Sequence, residues 1–291
     1  MTNSLSPQQL AQYRDNGFLF PLDLLDAQQL DHAQNELRRI ETEFNPTNLT
    51  KNVSQYLRIN AHLLFPFVYK IAGLANLLDQ VESILGPDIL IYSAELFIKE
   101  PNTPKIVSWH QDLTYWGLGE TDEELTAWVA LSDVNVESGC MRFLPGSHRQ
   151  AIQPHRDTFD EHNLLSRGQE VAVDVDEKDT VNVELKPGQV SFHHGRMFHA
   201  SGPNQSENRR IGVAIRYVTP DVRQQIGERD HAMMARGRDS GGNWIHLTPP
   251  ADNFDASNLV LYEQIRQQQV KVLMRDAKQP TDLYTVDECT I

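Results

Sequence analysis

Cysteine is nearly absent from this chain: two in 291 residues, Cys140 and Cys289. That excludes a disulfide framework, and Cys140, set in an apolar run, reads as a small buried hydrophobe rather than a nucleophile. Positive charge is also scarce. Lys and Arg number 26 against 40 Asp and Glu, a net charge of −14. Nucleic acid and anionic membrane surfaces both need clustered cations, so neither is expected as a partner. A local basic pocket for an anionic ligand remains open. No window approaches 18 apolar residues and residues 1–12 lack the apolar stretch of a signal peptide, so a cytoplasmic chain without a membrane span is expected. Neither His-Glu-x-x-His nor Cys-x-x-Cys occurs, which removes the common zinc patterns.

What is present is an ordinary globular composition, 40% hydrophobic and 23% charged, long enough to bury a large core. Ser6-Pro7-Gln8-Gln9 reads as a helix start, with a stop near Asn16-Gly17. Asp26 opens an amphipathic helix with Leu30, Ala33, Leu37 and Ile40 at three- and four-residue spacing, and residues 70–85 give another, ended by Gly86-Pro87. From Asp88 the period changes to two. Short β-rich runs follow: 89–92, 95–99, 126–131, 139–144, 171–173, 181–185, 190–193 and 211–218, separated by Pro, Gly and Asn turns. Helices precede strands, so a sandwich or barrel is expected rather than a parallel α/β sheet. The simplest organisation is one domain over 1–291: a helical part about 6–85, a β core about 88–220, and an extension about 221–291 with a late helix near 259–274. That helix has an apolar face that serves intramolecular packing or a dimer, so oligomeric state stays open.

The chemistry sits in two places. Trp109-His110-Gln111-Asp112 offers an imidazole and a carboxylate two residues apart, on one face of a strand end. Far downstream, Phe198-His199-Ala200-Ser201-Gly202-Pro203-Asn204 supplies a second imidazole. Alone, each motif is as readily a solvated surface feature. Together, two His and one carboxylate form the facial set that suits iron(II) and leaves positions open for chemistry. In the strand that follows, Arg210, Gly212 and Ala214 share a face. Small residues beside an arginine leave room for a carboxylate gripped bidentately, unless Arg209 and Arg210 simply begin a solvated strand. Arg209 lies on the apolar face and is the weaker candidate.

These residues resemble the phytanoyl-CoA dioxygenase family of iron- and 2-oxoglutarate-dependent oxygenases. Phe97-Ile98-Lys99-Glu100-Pro101, Trp109-His110-Gln111-Asp112, Trp128, the run from Gly139 through Pro145-Gly146-Ser147-His148, and His199-Ala200-Ser201-Gly202-Pro203-Asn204 all look like that family's motifs in its order, over about residues 6–220. The resemblance implies a mainly β fold with flanking helices around a double-stranded β-helix (jelly roll, cupin-like) core. It implies His110, Asp112 and His199 as ligands of Fe(II). It implies Arg210 as partner of the far carboxylate of 2-oxoglutarate, with Ser201 sharing that carboxylate and Trp128 at the cosubstrate. O2 would be the second cosubstrate. His148, His193 and His194 would be bracing or strand residues.

Related halogenases replace the carboxylate ligand with a small residue, so the presence of Asp112 favours hydroxylation of an unactivated C–H bond, with release of succinate and CO2. The substrate is expected to be a small metabolite. Tyr115 and Trp116 line its pocket, or pack in the core. Lys99, Arg142 and Arg216 receive an anionic substrate, or are solvated strand charges. Two competing readings use the same barrel: a cupin-type metal-dependent isomerase or hydrolase without a cosubstrate, and a non-catalytic ligand-binding barrel.

Overall fold

The Ser6 side chain accepts from the Gln9 amide while the Gln9 side chain takes the Ser6 N–H, so α1 (Pro7–Asn16) begins where the sequence places it. Gly17, at φ 81°, ends it. Asp26 and Gln29 repeat the device for α2 (Ala27–Glu43), which buries Ala33, Leu37 and Ile40. After α3 (Val53–Arg58), the helix expected over 70–85 is two helices, α4 (Pro66–Ala72) and α5 (Ala75–Leu85). Gly73 weakens a continuous helix by about 1 kcal/mol, and Leu74 takes a ψ of 130°. The break lets each helix turn its own apolar face inward: Phe67, Val68 and Ile71 from one, Leu77, Leu78 and Val81 from the other. This computed structural model describes residues 3–44, 49–165, 168–275 and 277, so Cys289 lies outside the described residues.

The strands follow in order: β1 (Phe18–Asp23), β2 (Ile89–Lys99), β3 (Val107–His110), β4 (Glu124–Ala130), β5 (Met141–Phe143), β6 (His155–Asp157), β7 (Gln169–Val171), β8 (Val181–Val183), β9 (Gln189–His193), β10 (His199–Ser201), β11 (Arg210–Val218), β12 (His231–Arg236) and β13 (Ile245–His246). The two runs at 89–92 and 95–99 are one strand, because β11 pairs with β2 along its whole length. A seven-stranded sheet, β1-β9-β4-β11-β2-β12-β13, faces a four-stranded one, β3-β10-β5-β8. The pairing is antiparallel apart from β12 with β13, and neighbours are mostly non-consecutive in the chain. This is the jelly-roll core, with β12 and β13 added from beyond residue 220. The late helix is α6 (Ala256–Leu273). Among the described residues, no helix is long and apolar enough to cross a membrane.

Alternation along the strands divides the large sheet into two faces. Leu125, Ala127 and Val129 of β4, Val213 and Ile215 of β11, and Ala94 and Leu96 of β2 pack with the helices in one continuous core. Each fully buried branched side chain there contributes about 1.5–3 kcal/mol. The opposite face looks toward the smaller sheet. Trp128, Ala130 and Ala214 meet Met141 and Phe143 there, and Cys140 is buried in the same cluster. Polar residues on that inner face, Glu95, Thr126, Arg210 and Arg216, line a cavity between the sheets. The helices thus cover one side of the large sheet and leave the other for a site.

Candidate metal centre

His110 is the last residue of β3, and His199 the first of β10; the two are cross-strand partners with ring centroids 4.0 Å apart. Asp112 is not on the strand, as the spacing alone suggests, but opens the 3-10 turn Asp112–Thr114. Between them Gln111 turns the other way. It is fully buried, donates to the Arg196 carbonyl at 2.9 Å and accepts the Gln153 amide at 2.8 Å. That clamp points His110 and Asp112 to the same side despite the strand ending. Asp112 Oδ1 lies 3.4 Å from His110 Nε2 and 3.9 Å from His199 Nε2. One donor atom from each residue falls within 4.8 Å of the others, and all three residues are buried.

The backbone tests whether this trio suits a metal. His110 Nδ1 donates to the Ser108 carbonyl at 2.8 Å, and His199 Nδ1 donates to the Met197 carbonyl at 3.0 Å. Each bond fixes the tautomer that leaves Nε2 with a free lone pair aimed at Asp112, the arrangement metal-ligating histidines require. Burial, reinforced by His110, pushes the His199 pKa well below its ordinary value, so the ring is neutral. Burial would raise the Asp112 pKa, but Arg216 and the surrounding imidazoles outweigh it and hold the carboxyl well below the usual range. Donor atoms about 2.1 Å from one ion and at right angles stand about 3 Å apart; the two Asp112–imidazole separations here, 3.4 and 3.9 Å, are within an ångström of that. Two imidazoles that present Nε2 and one carboxylate fit iron(II).

The other expected residues line the same cavity. Arg210 opens β11 and is buried; one terminal nitrogen donates to the Gly139 carbonyl at 2.5 Å, its Nε has no partner, and its guanidinium lies 5.3 Å over the Trp128 ring. Trp128 packs flat against Gly212: a Cβ built there would fall 1.9 Å from the indole Cζ2. The room expected beside Arg210 is therefore filled at Gly212 by Trp128. Ser201 ends β10, facing the cavity, and its Oγ accepts from the Lys99 ammonium at 2.7 Å. Tyr115 and Trp116 both line the cavity. Trp116 also packs in the core, 5.9 Å from the Tyr92 ring and 5.0 Å under the Arg216 guanidinium, so lining the cavity does not exclude core packing.

Of the cations expected to be either substrate receptors or solvated, Lys99 and Arg216 are buried, while Arg142 pairs with Glu177 at 2.9 Å. His148 braces α1: its ring sits under Gly17 and bonds the Arg14 carbonyl at 3.2 Å. His193 is buried with Nε2 3.8 Å from Asp112 Oδ2, outside the trio. Several site residues carried no expectation. Thr126 donates to Asp112 at 3.3 Å, and Arg58, from α3, bonds Glu95 at 3.2 Å with its guanidinium 3.8 Å over Phe97. Thr126 and Glu95 share the face of Trp128 and Lys99 on their strands, a signal alternation could have supplied. Arg58 is brought in by helix packing, which local sequence does not report.

A jelly roll whose cavity is lined by two histidines, a carboxylate and a buried arginine is the arrangement of the iron(II)- and 2-oxoglutarate-dependent oxygenases. Comparison places the chain more closely. The sequence profile of the phytanoyl-CoA dioxygenase (PhyH) family matches residues 13–212, and the chain belongs to that family. Bovine peroxisomal phytanoyl-CoA dioxygenase is 27% identical over 236 residues, 74% of this chain and 69% of that protein. A protein of Stutzerimonas stutzeri named a probable alpha-ketoglutarate-dependent hypophosphite dioxygenase is 30% identical over 58% of each chain. The solved structure of the non-heme monooxygenase ThoJ, without ligand, superposes with a TM-score of 0.81 at 33% identity, covering 91% of this chain and 97% of ThoJ.

Proposed function

We propose that this dioxygenase hydroxylates an unactivated C–H bond of a small metabolite. His110, Asp112 and His199 hold iron(II), and Arg210, Ser201 and Trp128 hold 2-oxoglutarate. The observation that carries the reading is the pair of Nδ1–carbonyl bonds at His110 and His199, which present two lone pairs to one carboxylate oxygen. Bound iron(II) and 2-oxoglutarate supply the oxidising chemistry, in which O2 is consumed, succinate and CO2 leave, and one oxygen atom enters the substrate.

The residues' own work is binding, orientation and shielding. Arg210 Nε, buried and unpartnered, together with the Ser201 hydroxyl, meets the far carboxylate of the cosubstrate. Trp128 supports that guanidinium from its ring face. Tyr115 and Trp116 wall the side on which substrate enters, keeping water from the oxidising centre. No side chain need act as general acid or base. Asp112, a carboxylate rather than a small residue, favours oxygen insertion over halogenation.

The test is anaerobic addition of iron(II) and 2-oxoglutarate to the purified protein. A weak visible charge-transfer band is expected with wild type and none with Asp112→Ala, which also loses substrate-stimulated succinate formation in a metabolite screen. A variant that keeps both iron binding and turnover would remove Asp112 from the site and the proposal with it.

A further inference from the structure

Lys99 is the most deeply buried amine in the cavity's surroundings, with 0% of its surface exposed. It is the last residue of β2 and the cross-strand partner of Arg210, so the two cations stand side by side on the inner face of the large sheet. Among the described residues neither has a carboxylate partner. Lys99 Nζ meets the Ser201 Oγ at 2.7 Å, the Ser201 carbonyl at 3.4 Å and the Gly202 carbonyl. Arg210 meets the Gly139 carbonyl and the Trp128 face. Two adjacent buried basic groups answered only by neutral dipoles cannot both carry charge without cost. Burial, with Arg210 beside it, pushes the Lys99 pKa down to about 6, so the ammonium form is disfavoured until an anion stands nearby to favour it.

The three acceptors around Nζ match the three N–H groups of an ammonium. Ser201 Oγ is then an acceptor toward Lys99, and its single proton turns elsewhere. Among the described residues nothing accepts that proton, while Ser201 itself lines the cavity and Lys99 does not.

Resting on the cosubstrate reading of Arg210 and Ser201, we infer that Lys99 is a positioning residue for 2-oxoglutarate. It holds the Ser201 hydroxyl as a donor toward the far carboxylate and adds a second positive charge behind it. The arriving anion supplies the counter-charge that the fold withholds from both cations. Lys99 touches neither the reacting atoms nor the cosubstrate; it works through Ser201.

The experiment measures the dissociation constant of 2-oxoglutarate by tryptophan fluorescence in the nickel-loaded protein, where no turnover occurs, for wild type, Lys99→Met, Ser201→Ala, the double variant and Arg210→Ala. Thermal melts are recorded with and without 2-oxoglutarate. Lys99→Met is expected to weaken binding about tenfold or more, the scale of a lost charge-assisted bond. The double variant should bind no more weakly than Lys99→Met, because the two residues act as one unit. The ligand-free Lys99→Met protein should melt at or above wild type, since a buried polar amine is replaced by an apolar side chain of similar length, while its 2-oxoglutarate-induced rise in Tm shrinks. A merely structural lysine gives the opposite: a lower ligand-free Tm with unchanged affinity. That result, or additive losses in the double variant, overturns the inference. If Arg210→Ala also leaves affinity unchanged, the cosubstrate reading beneath it fails as well; if only Arg210→Ala weakens binding, that reading stands and the role of Lys99 does not.

Discussion

Gly212→Ala adds one methyl group at the most crowded point of the cavity. Gly212 sits mid-strand in β11 without a positive φ, so its backbone needs nothing glycine alone provides. In an open strand such a change gains about 0.5–1 kcal/mol. Here the new Cβ would fall 1.9 Å from Trp128 Cζ2 and 2.2 Å from Cη2, where ordinary contact begins at 3.4 Å. The indole is rigid and 3% exposed, and its strand β4 is held between β9 and β11. It must move by more than an ångström or push the strands apart, and overpacking of this kind costs about 1–3 kcal/mol. A chain of this length changes stability by about 0.6 kcal/mol per kelvin near its melting point, so Tm should fall by about 2–5 °C. Displaced indole also withdraws its face from Arg210, and 2-oxoglutarate affinity should fall with it. Melting by circular dichroism and fluorescence titration with 2-oxoglutarate measure both. Trp128→Phe in the same chain removes the colliding ring and should recover part of the lost Tm. A Gly212→Ala protein that melts at or above wild type refutes the steric argument, since the sign of the shift separates relief from collision.

His62, in the turn Ala61–Leu63, is fully buried with Nδ1 accepting the Ala94 amide at 3.2 Å, and burial pushes its pKa down to about 3. It stays neutral in the fold but protonates in the unfolded chain below about 6.5, so its contribution is whole above that pH and is lost on acidification, at up to about 1.4 kcal/mol per pH unit. Urea midpoints taken from about pH 7 to pH 4 should fall less steeply for His62→Asn than for wild type; equal slopes would refute this. The neighbouring arginines 209 and 210 should behave oppositely. Arg209 bridges Glu41 at 2.7 Å and Glu100 at 2.9 Å on the surface, so Arg209→Ala should cost less than about 1 kcal/mol and leave 2-oxoglutarate affinity intact. Arg210→Ala should raise the 2-oxoglutarate requirement sharply, and equal behaviour of the two would remove the distinction between strand faces.

What could be read before folding was whatever depends on neighbours in the chain. The caps at Ser6 and Asp26 are bonds to a residue three positions on. The two faces of β11 follow from side chains alternating across a strand, which separated Arg210 from Arg209 without coordinates. The same locality explains the misreadings. Runs 89–92 and 95–99 looked like two strands because only their pairing with β11 makes them one, and residues 70–85 looked like one helix because the break serves packing against the sheet.

The chain order of amino acids by itself determined the inventory: two imidazoles, a carboxylate two residues from one of them, and an arginine on the polar side of a strand. Tertiary structure alone decided that His110 and His199 are cross-strand partners, that Arg58 reaches the cavity from a helix, and that Lys99 and Arg210 lie buried side by side. Those facts depend on sheet register and on which face the helices cover. Both are set by burying apolar surface between segments far apart in sequence, a collective quantity that no local pattern contains.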